Sequence, residues 1–316
     1  MKVSDIDNLN FSEAWSIPQA PTGYKSGFIG IIGRPNVGKS TLMNQLVGQK
    51  IAITSPVAQT TRNRLQGILT TPEAQLIFVD TPGIHKPHHQ LGEVLVRNAR
   101  IAIDAVDVIL FVVDGTQPAG GGDRFIIDLL SRTENPVILG INKIDQQADS
   151  QLDRTYEDLA APYQWQIVKF SALTGNGLDT LQQLLVTHLE PGPYYYPPDL
   201  VTDQPERFIM GELIREQILL LTREEVPHSV AVTIDRVEED TTITRVLATI
   251  HVERDSQKGI LIGKGGTMLK AIGSAAREQM QKLIAGKVYL ELFVKVQPKW
   301  RQSRFRLSEL GYRVEE

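Results

Sequence analysis

The chain has 316 residues, a formal net charge of −4 and 41% hydrophobic residues. That length suits two domains of ordinary size. The absence of cysteine excludes disulfide scaffolds and thiolate metal sites and fits a reducing, cytoplasmic setting. No apolar run approaches the ~20 residues of a membrane-spanning helix, and "MKVSDIDNLNFSEAWS" is too acidic and polar for a secretory signal. Residues 1–26 are read as a disordered extension. Charge is unevenly spread. Lys258 to Arg306 carries eleven Lys or Arg against two Asp or Glu, a balance of +9 that leaves −13 elsewhere. A solvated charged face explains such a segment in general; on an acidic protein it also suits a polyanion partner.

Five near-continuous apolar runs come first: "FIGIIG" (28–33), "AQLIFVD" (74–80), "DVILFVVD" (107–114), "PVILGIN" (136–142) and "QIVKFSA" (166–172). Such runs suit strands buried on both faces of a parallel sheet. Helical patterns lie between them at 40–47, 94–103, 122–130, 156–160 and 179–188. The alternation predicts a mostly parallel, doubly wound α/β domain over 27–193. "RLQGILT" (64–70) reads as an added edge strand. Five prolines and three tyrosines then crowd 190–206. They cannot continue a helix or a central strand, so a hinge is placed at 194–210. A smaller α+β domain is expected over 211–306, followed by a tail, 307–316. Its pattern is a helix, two β-branched runs, a "GKGG" turn, a helix over about 267–284 and the strand "KVYLELFVKV".

"GRPNVGKST" comprises Gly33, Arg34, Pro35, Asn36, Val37, Gly38, Lys39, Ser40 and Thr41. It matches the phosphate-binding loop G-x-x-x-x-G-K-[S/T], with a strand before it and a helix after it. Backbone N–H groups and a helix N-terminus supply positive potential for phosphates. Lys39 reaches the outer phosphates and the Ser40 hydroxyl can ligate Mg²⁺. "DTPG" (Asp80, Thr81, Pro82, Gly83) ends the next strand of the parallel set. There a carboxylate faces the ligand crevice, so Asp80 can hold Mg²⁺ and the Gly83 N–H can sense a γ-phosphate. "NKID" supplies Asn142, Lys143 and Asp145. The Asp145 carboxylate accepts two hydrogen bonds that guanine offers and adenine does not. At roughly 1.5–3 kcal/mol per charge-assisted bond, the pair favours GTP over ATP by several hundredfold or more. "SAL" (Ser171, Ala172, Leu173) offers backbone to guanine O6.

"QTTRN" (59–63) brings Thr60 and Thr61, either of which can complete the Mg²⁺ shell; Thr61 is preferred. This stretch and "GIHKPHHQLG" (83–92) read as switch segments ordered by the γ-phosphate. His85, His88 and His89 lack the carboxylate support of a zinc site. Ile84 stands where Ras-like enzymes carry a water-orienting glutamine, so slow intrinsic hydrolysis is expected.

These motifs, with "PPDLVTDQPERF", "ELIREQIL", "EEVPHSV" and "IGKGGTMLKAIG", give a chain that resembles the Era family of bacterial GTPases from about Gly27 onward. The resemblance implies a P-loop GTPase domain followed by a type II KH domain. It also implies binding of the 3′ end of 16S ribosomal RNA, help in 30S subunit maturation, and peripheral contact with the inner membrane. Through Asn36 it implies potassium-assisted hydrolysis. The expected cofactors are GTP or GDP and Mg²⁺, with K⁺; the expected nucleic acid is RNA rather than DNA.

"GKGG" (Gly263, Lys264, Gly265, Gly266) fails as a second P-loop, because its lysine lies between the glycines. As G-x-x-G it fits the loop with which KH domains clamp about four nucleotides. The helix after it turns Leu269, Ile272, Ala276 and Leu283 toward a sheet and leaves Lys270, Arg277 and Lys282 for a ligand. A tight turn in an unrelated α+β domain is the competing explanation. "KWRQSRFR" (299–306) either contacts RNA or caps the domain. Two other readings remain: a GTP-controlled scaffold whose second domain binds protein or membrane, and a tRNA-modification or double-GTPase relative. Against the latter, this sequence has no cysteine for such chemistry and no second P-loop.

Overall fold

The computed structural model describes residues 17–55, 65–80, 103–149, 151–223, 226–227, 229–284 and 286–310. The first domain contains β1 (Lys25–Ile32), α1 (Lys39–Val47), β2 (Leu65–Thr70), β3 (Ala74–Asp80) and β4 (Val108–Asp114). It continues through α2 (Gly121–Leu130), β5 (Val137–Asn142), α3 (Gln151–Ala160), β6 (Gln166–Lys169) and α4 (Leu178–His188). The sheet order is β2-β3-β1-β4-β5-β6. Among the described strands of this sheet only β2 is antiparallel to its neighbour, and it lies at the edge, where 64–70 is expected.

Alternation along β4 explains the two-sided core. Val108, Leu110 and Val112 join the cluster built with α1 and α4, while Ile109, Phe111 and Val113 face α2 and α3. A strand apolar at every position can therefore anchor helices on both faces. The helix expected at 156–160 begins five residues earlier, at Gln151. Its first turn has Leu152 as its one apolar residue and buries the polar Asp153, which hides it from an apolar-periodicity reading. The helix expected at 94–103 lies almost wholly outside the described residues.

Three boundaries move. Lys25 and Ser26, assigned to the extension, open β1, and Tyr24 before them is buried with its hydroxyl donating to Thr71 O at 3.2 Å. Much of the proposed hinge is docked on the first domain. Tyr24 and Tyr194 pack at 4.6 Å between ring centroids, and Phe28 and Tyr195 at 5.2 Å. The Gln75 side chain accepts from Tyr195 N and Tyr196 N and donates to Tyr196 O. Rigid aromatic packing, rather than flexibility, is why tyrosines occupy this stretch. The tail boundary at 306/307 cuts the short helix α8 (Arg304–Glu309), and Leu310 is buried beside Trp300.

The second domain starts with α5 (Glu206–Leu221), which also cuts into the assigned hinge. It continues with β7 (Ala231–Glu239), β8 (Ile243–Val252), α6 (Asp255–Ile262), α7 (Thr267–Met280) and β9 (Lys287–Val296). The sheet order is β7-β8-β9, with β7 antiparallel and β9 parallel to β8. Helix α6 has no counterpart in the sequence reading; its eight residues are too few for a clear period. Helix α7 ends at Met280, four residues before the expected end.

The domains meet at α5, which carries apolar residues on several faces. Its Glu216, 1% exposed, accepts from Lys50 Nζ at 2.5 Å, Thr54 N at 2.8 Å and Thr54 Oγ1 at 3.2 Å. A buried carboxylate is tolerated only with such partners; these come from the segment just after α1.

Candidate nucleotide site and nucleic-acid interface

The P-loop wraps the N-terminus of α1. Gly38 is its N-cap at φ 99°, a region that L-residues with a Cβ avoid. Space forbids a Cβ as well: one at Gly38 would lie 2.4 Å from Asn142 Nδ2, and one at Gly33 2.4 Å from Val112 O. Asn36 also has positive φ, 64°, at the exposed crown of the loop. Lys39 folds back into the loop, donating to Gly33 O at 3.2 Å and Arg34 O at 3.0 Å. The residue is only 7% exposed. Burial lowers its pKa, with Asp80 pulling in the opposite direction. An anion beside Lys39 would relieve that cost.

Ser40 Oγ donates to Asp80 Oδ2 at 3.1 Å. A hydroxyl and a carboxylate converging at the end of β3 form a hard-oxygen donor set that suits Mg²⁺. Thr60, Thr61, Thr81, Pro82, Gly83 and Ile84, together with His85, His88 and His89, lie outside the described residues.

The base-side elements are held by one amide. Asn142 Nδ2 donates to Val37 O at 2.8 Å, and its Oδ1 accepts from Ala172 N at 2.9 Å. This buried side chain joins the P-loop, the end of β5 and the "SAL" loop. It was singled out as a nucleotide contact; the geometry makes it the brace between contacts. Lys143, at φ 68°, pairs with Asp114 Oδ2 at 2.6 Å. Burial would raise the Asp114 pKa, but hydrogen bonds from Lys143 and Thr116 outweigh it and keep the carboxylate low. Asp145 follows on a short 3₁₀ turn, exposed and facing no protein cation within ion-pair distance among the described residues. Ser171 is buried, accepting from Thr174 N at 3.0 Å, while Leu173 is 66% exposed.

Some assigned contacts point elsewhere. The Arg34 guanidinium bonds Asp123 Oδ1 at 2.7 Å, and Asp123 Oδ2 accepts Gly120 N at 2.8 Å. Arg34 thus ties the P-loop to the start of α2, leaving its backbone for phosphates. Val37 is core, and Thr41 is half-buried in the first turn of α1. Sequence reasoning missed Asp114 and Asp123. Asp114 ends an apolar strand as Asp80 does, so its signal was present; Asp123 carried none.

In the second domain, Gly263, Gly265 and Gly266 have φ of 72°, 62° and 80°. A Cβ at Gly263 would lie 2.8 Å from Met268 Cβ and 2.9 Å from Met268 N, so this position admits only glycine. Lys264 stands exposed between them, and Gly266 caps α7. The loop therefore presents a lysine and a helix N-terminus at one place, as a phosphate chain requires. Beside it, a groove of about 380 Å³ runs between α7 and β9. Gly266, Lys270, Gly273 and Arg277 form one wall, and Leu290 and Leu292 the other. Gly273 allows the close approach: a Cβ there would be 3.3 Å from Leu292. Lys270, Arg277 and Lys282 are exposed as expected, and Ile272, Ala276 and Met280 are buried. Leu290, Leu292 and Gly273 were not singled out, because a strand's groove-facing residues look like any half-buried alternation.

The "KWRQSRFR" segment divides. Trp300 is 2% exposed, packs on Ala231 and donates from Nε1 to Ser229 O at 3.1 Å, so it caps the domain. Phe305 is 67% exposed beneath the Arg306 guanidinium.

A P-loop nucleotide domain carrying a KH domain is the class that this fold and these two glycine loops define. The sequence model of 50S ribosome-binding GTPases matches residues 28–143, and that of KH domains residues 225–301. The GTPase Era of Nostoc sp. is 80% identical over 320 residues, covering 100% of this chain and 99% of that protein. That of Rippkaea orientalis is 72% identical over 312 residues, covering 98% of each. The chain belongs to the GTPase Era family. Among solved structures, Era in complex with MgGDPNP and nucleotides 1506–1542 of 16S ribosomal RNA matches with a TM-score of 0.86 and 39% identity, covering 92% of this chain and 100% of that one. An Aquifex aeolicus Era variant bound to GDP·AlF₄⁻ matches with the same TM-score, identity and coverage.

Proposed function

We propose that this chain is a GTP-hydrolysing switch that binds the 3′ end of 16S ribosomal RNA and assists assembly of the 30S subunit. The observation that carries this reading is the pairing of the two loops. One closes around a buried lysine and a hydroxyl–carboxylate pair; the other lays an exposed lysine along a groove. Similarity to an Era solved with MgGDPNP and a 16S fragment supports the same assignment.

The P-loop amides and Lys39 would hold the phosphates, and Asp145 with the backbone of Ser171 to Leu173 the guanine. Ser40, Asp80 and Thr61 would hold Mg²⁺, which neutralises phosphate charge when bound. Lys39 and the Gly83 N–H would stabilise charge at the γ-phosphate, and Asn36 would help seat a K⁺ ion. With isoleucine at 84, water orientation falls to other groups and turnover is slow. The RNA backbone would follow Gly263, Lys264, Gly265, Gly266 and Lys270. Glu216 grips Thr54, which shortly precedes "QTTRN", so γ-phosphate contacts there would bear on the second domain through α5. Coupling between nucleotide and RNA must be reciprocal.

The site of action is the cytoplasm, with peripheral contact at the inner membrane. No helix among the described residues is long and apolar enough to cross a membrane, and no membrane-binding surface is needed for the RNA reading. The test is RNA binding by the full chain with GDP and with a non-hydrolysable GTP analogue, using the host counterpart of the 1506–1542 fragment. Nucleotide-dependent affinity is the expected result. Absence of RNA binding in both states would leave the scaffold reading in its place.

A further inference from the structure

The outer side of β9 is unused by either site. Among the described residues β9 is an edge strand, paired with β8. Its side chains alternate. Leu290 and Leu292 turn into the groove, while Lys287, Tyr289, Phe293 and Lys295 stand exposed on the other face. Tyr289 and Phe293 are 48% and 49% exposed, although large aromatic rings on a sheet usually pack. The parallel register sets Arg245 beside Tyr289, and its guanidinium lies 5.9 Å from the ring centroid. The face thus carries two open rings, a lysine beyond each and an arginine at one ring. Glu291 between the rings is the one acid in this row.

Four residues of strand separate the rings by about 13 Å, too far to hold one stacked base pair. They suit separate bases of an extended single strand. Aromatic faces accept any base, and cations beside them hold the backbone. The alternative, that the rings serve only β-sheet propensity, does not explain why cations rather than apolar neighbours flank them. The groove and this face share β9, so a strand leaving the groove across the β9 edge reaches the rings without crossing other structure.

We propose that the outer face of β9, through Tyr289 and Phe293 with Lys287, Lys295 and Arg245, is a second binding surface for single-stranded RNA that extends the strand held in the groove. This rests on the RNA-binding reading given above. The groove alone clamps about four nucleotides; the outer face lengthens the site and tolerates sequence changes there.

The test compares a hexamer that fills the groove with the host counterpart of the 1506–1542 fragment, both binding to the full chain. The double variant Tyr289→Ala with Phe293→Ala should lose at least tenfold in affinity for the long RNA, as loss of base–aromatic stacking implies. It should bind the hexamer as the wild type does. The ring-preserving double variant Tyr289→Phe with Phe293→Tyr should keep wild-type affinity for both RNAs, which separates stacking from a folding defect. Equal affinity of the alanine variant and the wild type for the long RNA overturns the proposal. So does an equal loss for both RNAs, or loss of 30S association with RNA affinity intact, which would mark a protein-docking face. If the wild type binds neither RNA, the underlying reading fails first. If Lys264→Ala weakens binding but the alanine pair does not, only the second surface fails.

Discussion

The two glycine loops of this chain make opposite use of the same residues. In the P-loop, Lys39 is buried and bonded to two loop carbonyls, and Asn142 braces the turn from β5. In the second loop, Lys264 is exposed and the turn is held by its own backbone, with Gly266 N donating to Gly263 O at 3.2 Å. One encloses a ligand with two ends; the other lies open so that a polymer can pass. Burial is the variable that separates them. A buried cation is worth more to a bound phosphate, because low dielectric strengthens the attraction. An exposed cation gives salt-sensitive attraction to a backbone of any sequence.

The sharpest way to break this comparison is to remove each lysine. Lys39→Ala should abolish nucleotide binding, a loss of at least about a hundredfold, since several charge-assisted bonds at roughly 1.5–3 kcal/mol each disappear. Fluorescent-GDP titration measures it, and RNA affinity without nucleotide should not change. Unchanged GDP affinity would remove the P-loop from the site. Asp145→Ala should cost less GTP affinity and remove the preference over ATP, a change of about a hundredfold or more in the ratio. Competition with GTP, GDP and ATP reads it directly.

Lys264→Ala should act quite differently. RNA affinity should fall severalfold, and the slope of log K against log salt should drop by about 0.7 for one lost single-strand phosphate contact. Glycine replacements sharpen the contrast within that loop. Gly263→Ala pushes a Cβ to 2.8 Å from Met268 and should reduce RNA affinity about tenfold by moving the loop. Gly265→Ala meets nothing within 4 Å and retains a left-handed φ of 62°. It should cost only about 1–2 kcal/mol of conformational strain, visible in thermal unfolding more than in binding. Equal effects of the two alanines on RNA binding would mean that Gly263 is not there for close packing.

The nucleotide site was largely legible because its chemistry is local. A P-loop is one uninterrupted run, and "DTPG" and "NKID" sit at the ends of strands that announce themselves by apolar content. What sequence left out are partners brought together by the fold. Arg34 reads as a phosphate ligand until Asp123, 89 positions away, claims its guanidinium. Asn142 reads only as part of the "NKID" nucleotide run until its two bonds to Val37 and Ala172 appear. In the second domain the loop was legible and the groove was not, since Leu292 meets Gly273 only after β9 pairs with β8. The hinge was misjudged for a related reason: proline content marks a break in secondary structure, but not whether the tyrosines beside it dock.

The smallest predicted effect separates the two domains by pH. His251 lies on β8, 7% exposed, with its ring nitrogens 3.0 Å from Thr233 Oγ1 and 2.9 Å from Gln297 Oε1. Burial lowers its pKa below the ordinary 6.5; Gln297 opposes this, Lys295 adds to it and Asp235 opposes it. The unfolded chain therefore takes up the proton first as pH falls. Stability linked to this group is complete above about pH 6.5 and declines below it, until the folded histidine titrates as well. Asp114, whose carboxylate pKa is also held low, acts in the same sense but at lower pH: its contribution is complete above the ordinary carboxylate range and is lost only at more acid pH. Between pH 7.5 and 5.5, the unfolding temperature of nucleotide-free wild type should fall further than that of His251→Gln. The loss should appear in the β7–β9 sheet and not in GDP affinity. An identical pH dependence in the variant would mean that the buried imidazole is not the group titrating.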